Sequence, residues 1–276
     1  MSDSSLKPAS LLKSVLAALA ALYTVLDLPL LSSTSEIRRL VDGLVKSGTY
    51  LGMCHSKVMP IEPFVSLYMS WPDNLDLSLK DLRAKCISLL ALTLMLRPSD
   101  IAPQGVHYDR DTQVTVQFVF HERQISFQPS GVTITFLGIK NDTSRSGFEV
   151  FLPRGSVDKL DPVSTLQCYM QRTNFMRQDA QGAVFLTLSK PYKALSASMI
   201  AQILCSMIDT VGLAGQGFTA KSFRPTGAST AVALGYDPDK VRRLGRWKTQ
   251  SVFLEHYVHN NIDKSYVNKM LSMPRH

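Results

Sequence analysis

The chain has 276 residues, 45% of them hydrophobic and 19% charged, which suits one large packed domain or two smaller ones and excludes a disordered chain. Its net charge of +8 favours a polyanionic partner such as nucleic acid or an acidic membrane surface. Cys54, Cys86, Cys168 and Cys205 lie far apart without zinc-site spacing, and His256 and His259 have no third ligand nearby, so reduced core thiols and no metal or cofactor are expected.

In chain order, residues 9–26 read as a first helix. Its run from Ser14 to Leu26 is uncharged and mostly apolar behind Lys7 and Lys13, like the core of a secretory signal. Asp27 and Pro29 end it short of the ~20 residues that span a bilayer, so a buried helix of an intracellular protein is expected. A second helix, 35–50, opens at Ser33, Thr34 or Ser35 with Glu36 in its first turn. Residues 1–56 form a small helical N-terminal unit. Gly48, Gly52, Pro60 and Pro63 mark a linker, and Trp71-Pro-Asp-Asn a second break.

From Ser78 to Leu96, Leu79, Leu82, Cys86, Leu89, Leu90, Thr93 and Leu96 recur near helical spacing. The helix ends at Arg97-Pro98, which holds Arg97 at a helix terminus with a rigid turn behind it. Between Gln113 and Pro153 the period changes to two: Val114, Val116, Phe118 and Phe120 alternate, then Val132, Ile134 and Phe136, then Phe148, Val150 and Leu152. These are strands, and Lys140 lies at the mouth of the hairpin between the last two. Helices are expected at about 161–175, 196–211, 225–235 and 238–245, with one more covering Tyr257. No internal repeat is present.

The charge excess is local. Between Phe218 and Gln250 seven basic residues, Lys221, Arg224, Lys240, Arg242, Arg243, Arg246 and Lys248, face only Asp237 and Asp239. This stretch, with Trp247 inside it and Tyr257 just beyond, offers cations for a phosphate and a phenol oxygen that could attack phosphorus. Phosphoryl transfer needs little more: a positioned nucleophile, neutralised phosphate oxygens and a proton donor for the leaving oxygen. A phosphotyrosine ester keeps roughly the energy of the ester it replaces, so the step reverses without ATP. Arginine suits the phosphate because its planar fork stays charged and donates bidentately. Taken singly, Arg97 could be a helix cap, Lys140 a turn residue, Trp247 and Tyr257 half-buried core, and the basic cluster a solvated face.

Together, Arg97 with Asp100 three residues on, Lys140 in a β-turn, Lys221-x-x-Arg224, Gly245-Arg-Trp247 and Tyr257 follow the order and approximate spacing of the tyrosine recombinases. From about Lys57 to its end the chain resembles that family, and its phrases Leu-Arg97-Pro-Ser-Asp-Ile-Ala and Gly-Arg-Trp247-Lys-Thr-Gln-Ser look most like the eukaryotic mobile-element recombinases of the DIRS and Crypton kind. The resemblance implies a mainly α, α+β fold: a catalytic domain of helices around a small antiparallel sheet over 57–276, preceded by a reduced DNA-clamping unit over 1–56. That unit carries five basic residues against four acidic ones, a weak clamp.

Carried over residue by residue, the resemblance implies that Arg97 and Arg224 clamp the non-bridging oxygens of the scissile phosphate, with Asp100 supporting from behind. Lys140 protonates the departing 5′ oxygen. Trp247, at the place of the family's His or Trp, packs on the nucleophile's helix, and Tyr257 attacks and holds the 3′ phosphate. Arg242, Arg243, Arg246 and Lys248 make a DNA-binding face. The implied partner is double-stranded DNA, engaged by a homotetramer joined through the segment Asn261 to Met273, in the nucleus, with no cofactor.

One departure concerns Lys221, where the family's motif has histidine. Histidine near pH 7 accepts a proton, whereas a charged lysine only donates. Lys221 is then either a third phosphate cation or a lysine made a proton acceptor by Arg224 nearby. Type IB topoisomerases also place a lysine there, so a DNA-relaxing enzyme stays open beside the recombinase, as does a non-catalytic DNA-binding protein descended from one.

Overall fold

A computed structural model describes residues 8–28, 57–103, 106–108, 115–117, 120–137 and 147–250, with 35–37, 39, 43, 253 and 254 besides. The chain divides into two compact units, Met1–Cys54 and His55–His276. In the first, α1 covers Pro8–Val25. Its less exposed side is Leu16, Ala20 and Tyr23, while Val15, Leu19, Leu22, Val25 and Leu26 are exposed, so the expectation of a buried helix is corrected. Among the described residues no helix is long and apolar enough to cross a membrane. Residues 35–37, 39 and 43 are helical; the rest of the expected 35–50 helix lies outside the described residues.

The second unit's first helix is α2, Glu62–Ser70, between the expected linker, which it enters at Pro63, and the break at Trp71. Pro63 sits in the helix's first turn, where a missing N–H costs nothing, so it starts the helix instead of breaking it. Next comes α3, Leu79–Thr93, capped by Ser78, whose hydroxyl accepts the Asp81 N–H at 3.1 Å. Leu82, Cys86, Ile87 and Leu90 are wholly buried, as are Lys85 and Ser88 on its other sides. Ser88 is satisfied by a 2.5 Å hydrogen bond shared with Tyr68 of α2, and Lys85 donates to Asn74 Oδ1 at 2.8 Å. A helix buried around its circumference is the centre of its domain, and later helices pack on it.

α3 stops at Thr93, three residues before the expected end. Met95 turns into the left-handed region at φ 52°, and Arg97 is extended at φ −86° and ψ 153°. Arg97 is therefore not the end of α3 but the cap of a separate 3-10 turn, Pro98–Ile101. Pro98 forces this, because a residue before proline is driven out of the helical region and the helix must finish earlier.

Two antiparallel sheets follow. β1 (Val106–Tyr108) pairs with β2 (Thr115–Gln117), and β3 (Ile125–Gln128), β4 (Gly131–Phe136) and β5 (Phe148–Pro153) form a three-stranded sheet in that order. β3 alternates over only four residues, Ile-Ser-Phe-Gln, and escaped the periodicity. The β4–β5 register ends on the pair Phe136 and Phe148. Lys140, between them in sequence, lies outside the described residues, as do Val114 and Phe118.

The remaining helices are α4 (Pro162–Arg172), α5 (Ala197–Thr210), α6 (Phe223–Ala233) and α7 (Pro238–Leu244). α4, α5 and α6 all pack on α3, giving the mainly helical architecture with a small antiparallel sheet that the resemblance implies. Asp161 caps α4, accepting the N–H groups of Val163, Ser164 and Gly155, each at 3.0 Å. Burial pushes its pKa up, but those bonds and the Ser164 hydroxyl outweigh burial and hold it below the ordinary carboxylate value. Asp161→Ala should destabilise the protein by about 1–2 kcal/mol at neutral pH. Because the folded-state pKa is the lower one, that stabilisation is complete above the unfolded value of about 3.9 and disappears as pH falls through the folded value. Urea unfolding of both proteins from pH 7 downward should show the gap closing.

Candidate active site

Three segments distant in sequence meet beside the C-terminal end of α3. The first is the turn Arg97–Ile101. Asp100, buried, turns its carboxylate back so that Oδ2 accepts the Arg97 N–H at 2.8 Å, and the Asp100 N–H returns a bond to the Arg97 carbonyl at 2.9 Å. This double tie fixes the backbone of Arg97. Its guanidinium is half-buried and makes no hydrogen bond or ion pair among the described residues.

The second segment is the start of α6. Phe64 of α2 packs edge-on against Phe223 with centroids 5.4 Å apart, and the Met59 N–H donates to Thr226 Oγ1 at 2.9 Å. Between these anchors Arg224 is only 4% exposed. Its Nη1 donates to the Met95 carbonyl at 2.5 Å and its Nη2 to the Gly245 carbonyl, while its guanidinium carbon lies 4.0 Å from the centre of the Trp247 ring. A buried charge needs such satisfaction, and the left-handed bend at Met95 turns a carbonyl toward it. Lys221, one turn earlier in Ala220–Ser222, is exposed.

The third segment follows α7. Trp247 is buried against Phe253, centroids 4.8 Å apart, in a small cluster with Met95, Ala228 and Val241. Gly245 is required here: a Cβ would stand 1.7 Å from the Trp247 ring. Arg246 is held at φ 61°, a conformation uncommon for a residue with a side chain. Its Nη2 meets Asp100 Oδ2 at 2.8 Å with both side chains nearly inaccessible, and its guanidinium faces Phe136 and Phe148 at 5.3 and 5.5 Å. Burial pulls the Arg246 pKa down, Asp100 pulls it up, and the like charge of Arg97 lowers it again.

The structure thus brings together Arg97, Asp100, Arg224 and Trp247, with Lys221 at the edge of the same helix start. Arg246 corrects the sequence reading: placed there on an exposed DNA-binding face, it is instead turned inward as the partner of Asp100. The other residues expected on that face are Arg242, Arg243 and Lys248. Arg242 and Arg243 share Asp239 at 2.8 and 2.7 Å, Arg242 also donates to the Trp247 carbonyl at 2.9 Å, and Lys248 is exposed. Tyr257, the helix around it and the segment Asn261 to Met273 lie outside the described residues. The carbonyls of Met95 and Gly245 were not foreseen, since nothing in a residue's identity tells where its backbone oxygen points.

No protein-family model matches the sequence, and no match is found among the curated proteins. Solved structures do match. The XerA recombinase is 15% identical, aligns over 95% of this chain and 75% of its own, and superposes with a TM-score of 0.54. The Tn1549 transposon integrase, in complex with transposon right end DNA, is 12% identical over 98% of this chain and 80% of its own, with a TM-score of 0.55. The fold is that of the tyrosine recombinases. XerH site-specific recombinase, bound to a palindromic difH substrate in a post-cleavage complex, is 14% identical over 77% of this chain with a TM-score of 0.52. This chain spans half the length of that XerH chain. Within the tyrosine-recombinase fold, the meeting of the turn after α3, the start of α6 and the loop after α7 is a product of helix packing on α3.

Proposed function

We propose that the chain is a site-specific DNA recombinase or integrase that cuts and rejoins strands through a 3′-phosphotyrosine. The observation that carries this reading is the convergence of Arg97, Arg224 and Trp247, from three segments, in a tyrosine-recombinase fold. Arg97 and Arg224 neutralise the two non-bridging oxygens, and Trp247 holds Arg224 flat. The Tyr257 oxygen forms its bond to phosphorus as the bond to the 5′ oxygen breaks; the phenol proton leaves, and Lys140 supplies one to the 5′ oxygen. One phosphodiester replaces another, so neither ATP nor a metal is consumed. Arg242, Arg243 and Lys248 position the duplex by its phosphates. In this reading the protein comes from a eukaryotic mobile element of the DIRS or Crypton kind, works in the nucleus as a tetramer on two duplexes, and uses the segment Asn261 to Met273 between subunits.

The test is covalent capture. Incubated with a randomised pool of nicked duplexes, the wild-type chain should yield a protein–DNA adduct that survives denaturation, and Tyr257→Phe should yield none. No adduct from wild type, or equal adduct from the variant, sinks the assignment. Lys221, a lysine where the recombinase motif has histidine, favours a second reading, a DNA-relaxing enzyme of the type IB topoisomerase kind. Relaxation of supercoiled plasmid without strand exchange would select it. Salt-sensitive binding with no adduct would instead mark a non-catalytic DNA-binding descendant.

A further inference from the structure

Asp100 is a buried carboxylate three residues from an arginine whose guanidinium has no partner among the described residues. Left to themselves, two such groups on one tight turn form an ion pair. They do not: Oδ2 instead accepts the Arg97 N–H and the Arg246 guanidinium, each at 2.8 Å. Arg246 reaches it across 146 residues of sequence, from a left-handed backbone, with its guanidinium plane resting near the Phe136 and Phe148 rings. A left-handed non-glycine residue costs on the order of 1 kcal/mol and persists where the surroundings hold it. Here the ion pair and the two rings hold it.

From this arrangement, and resting on the recombinase reading above, we infer that Arg246 is a positioning residue: it occupies Asp100 so that the Arg97 guanidinium stays available to the scissile phosphate. Without that charge, Asp100 would be a buried carboxylate lacking a cation. The nearest replacement is the side chain of Arg97, close enough to Arg246 to depress its pKa. Once captured, Arg97 could no longer neutralise a phosphate oxygen. The sequence alone suggests the reverse, with Asp100 serving Arg97 directly and Arg246 facing DNA.

The inference is tested on charge rather than on total activity. The probe is the duplex selected from a randomised pool by its adduct with the wild-type chain, prepared with either an ordinary phosphodiester or a neutral methylphosphonate at the cleaved linkage. Arg246→Gln keeps most of the volume and a hydrogen bond to Asp100 but removes the cation. It should lower attachment to the phosphodiester roughly 100-fold while changing attachment to the methylphosphonate far less, since a linkage with one charged oxygen fewer needs Arg97 less. Adding Asp100→Asn removes the carboxylate that would capture Arg97 and leaves no buried unpaired charge, so the double variant should recover the wild-type preference for the phosphodiester. An equal drop on both linkages overturns the inference, because a merely structural ion pair would act on both. A double variant that stays defective on the phosphodiester alone also overturns it, since Arg246 would then touch the phosphate itself. If the wild-type chain captures no duplex from the pool, the recombinase reading fails and takes this inference with it.

Discussion

Arg224→Lys is expected to reduce covalent attachment to DNA roughly 100- to 1000-fold. A lysine keeps the charge but not the geometry. Arg224 spans the Met95 and Gly245 carbonyls and lies 4.0 Å from the centre of the Trp247 ring, so one planar group joins the end of α3, the start of α6 and the loop after α7. A single ammonium reaches one of those carbonyls and leaves the other buried without a donor, which costs about 1–3 kcal/mol of stability. It also removes the planar contact with the Trp247 ring and withdraws one of the two forks proposed for the phosphate. Adduct yield and thermal unfolding measured together decide the matter. Attachment within a few-fold of wild type would mean that Arg224 is a structural hub only.

Gly227→Ala is expected to destabilise the protein by about 1–3 kcal/mol despite improving the helix. In an exposed helix the exchange would add about 1 kcal/mol of stability. Here a Cβ would stand 2.0 Å from the Leu92 carbonyl oxygen and 3.0 Å from its carbon. Backbone cannot swing aside as a side chain can, so α6 must move off α3. Arg224 lies one turn earlier on α6 and must move with it, so attachment to DNA should fall together with the unfolding midpoint. A rise in midpoint would show that the two helices have room to spare.

What could be read beforehand follows the range of the interactions involved. The 3.6 period found α3 and placed α4 to α7 within a few residues, and alternation found β4 and β5, because these patterns are local. α2 was hidden behind Pro63, which starts a helix as readily as it ends one. β3 was hidden by its length: Ile125, Ser126, Phe127 and Gln128 alternate, but over only four residues. Arg97, expected at the end of α3, caps its own turn instead, since Pro98 acts on the residue before it. Arg246 shows the limit most clearly: as one of four basic residues it looked solvated, and only its pairing with an acid 146 positions away turns it inward.

The residue types of the proposed phosphate site, their order along the chain, the helical and strand periods between them and the excess of positive charge were determined by the sequence alone, because each depends on covalent order and near neighbours. Which of the cations face inward was decided by the tertiary structure. Burial makes an unpaired charge costly, so every arginine drawn into the packed region had to find its acceptor: Arg224 the carbonyls of Met95 and Gly245, Arg246 the carboxylate of Asp100. Those acceptors are far away in sequence and close in space only because α3 is buried on all sides and the elements carrying them pack against it or its end.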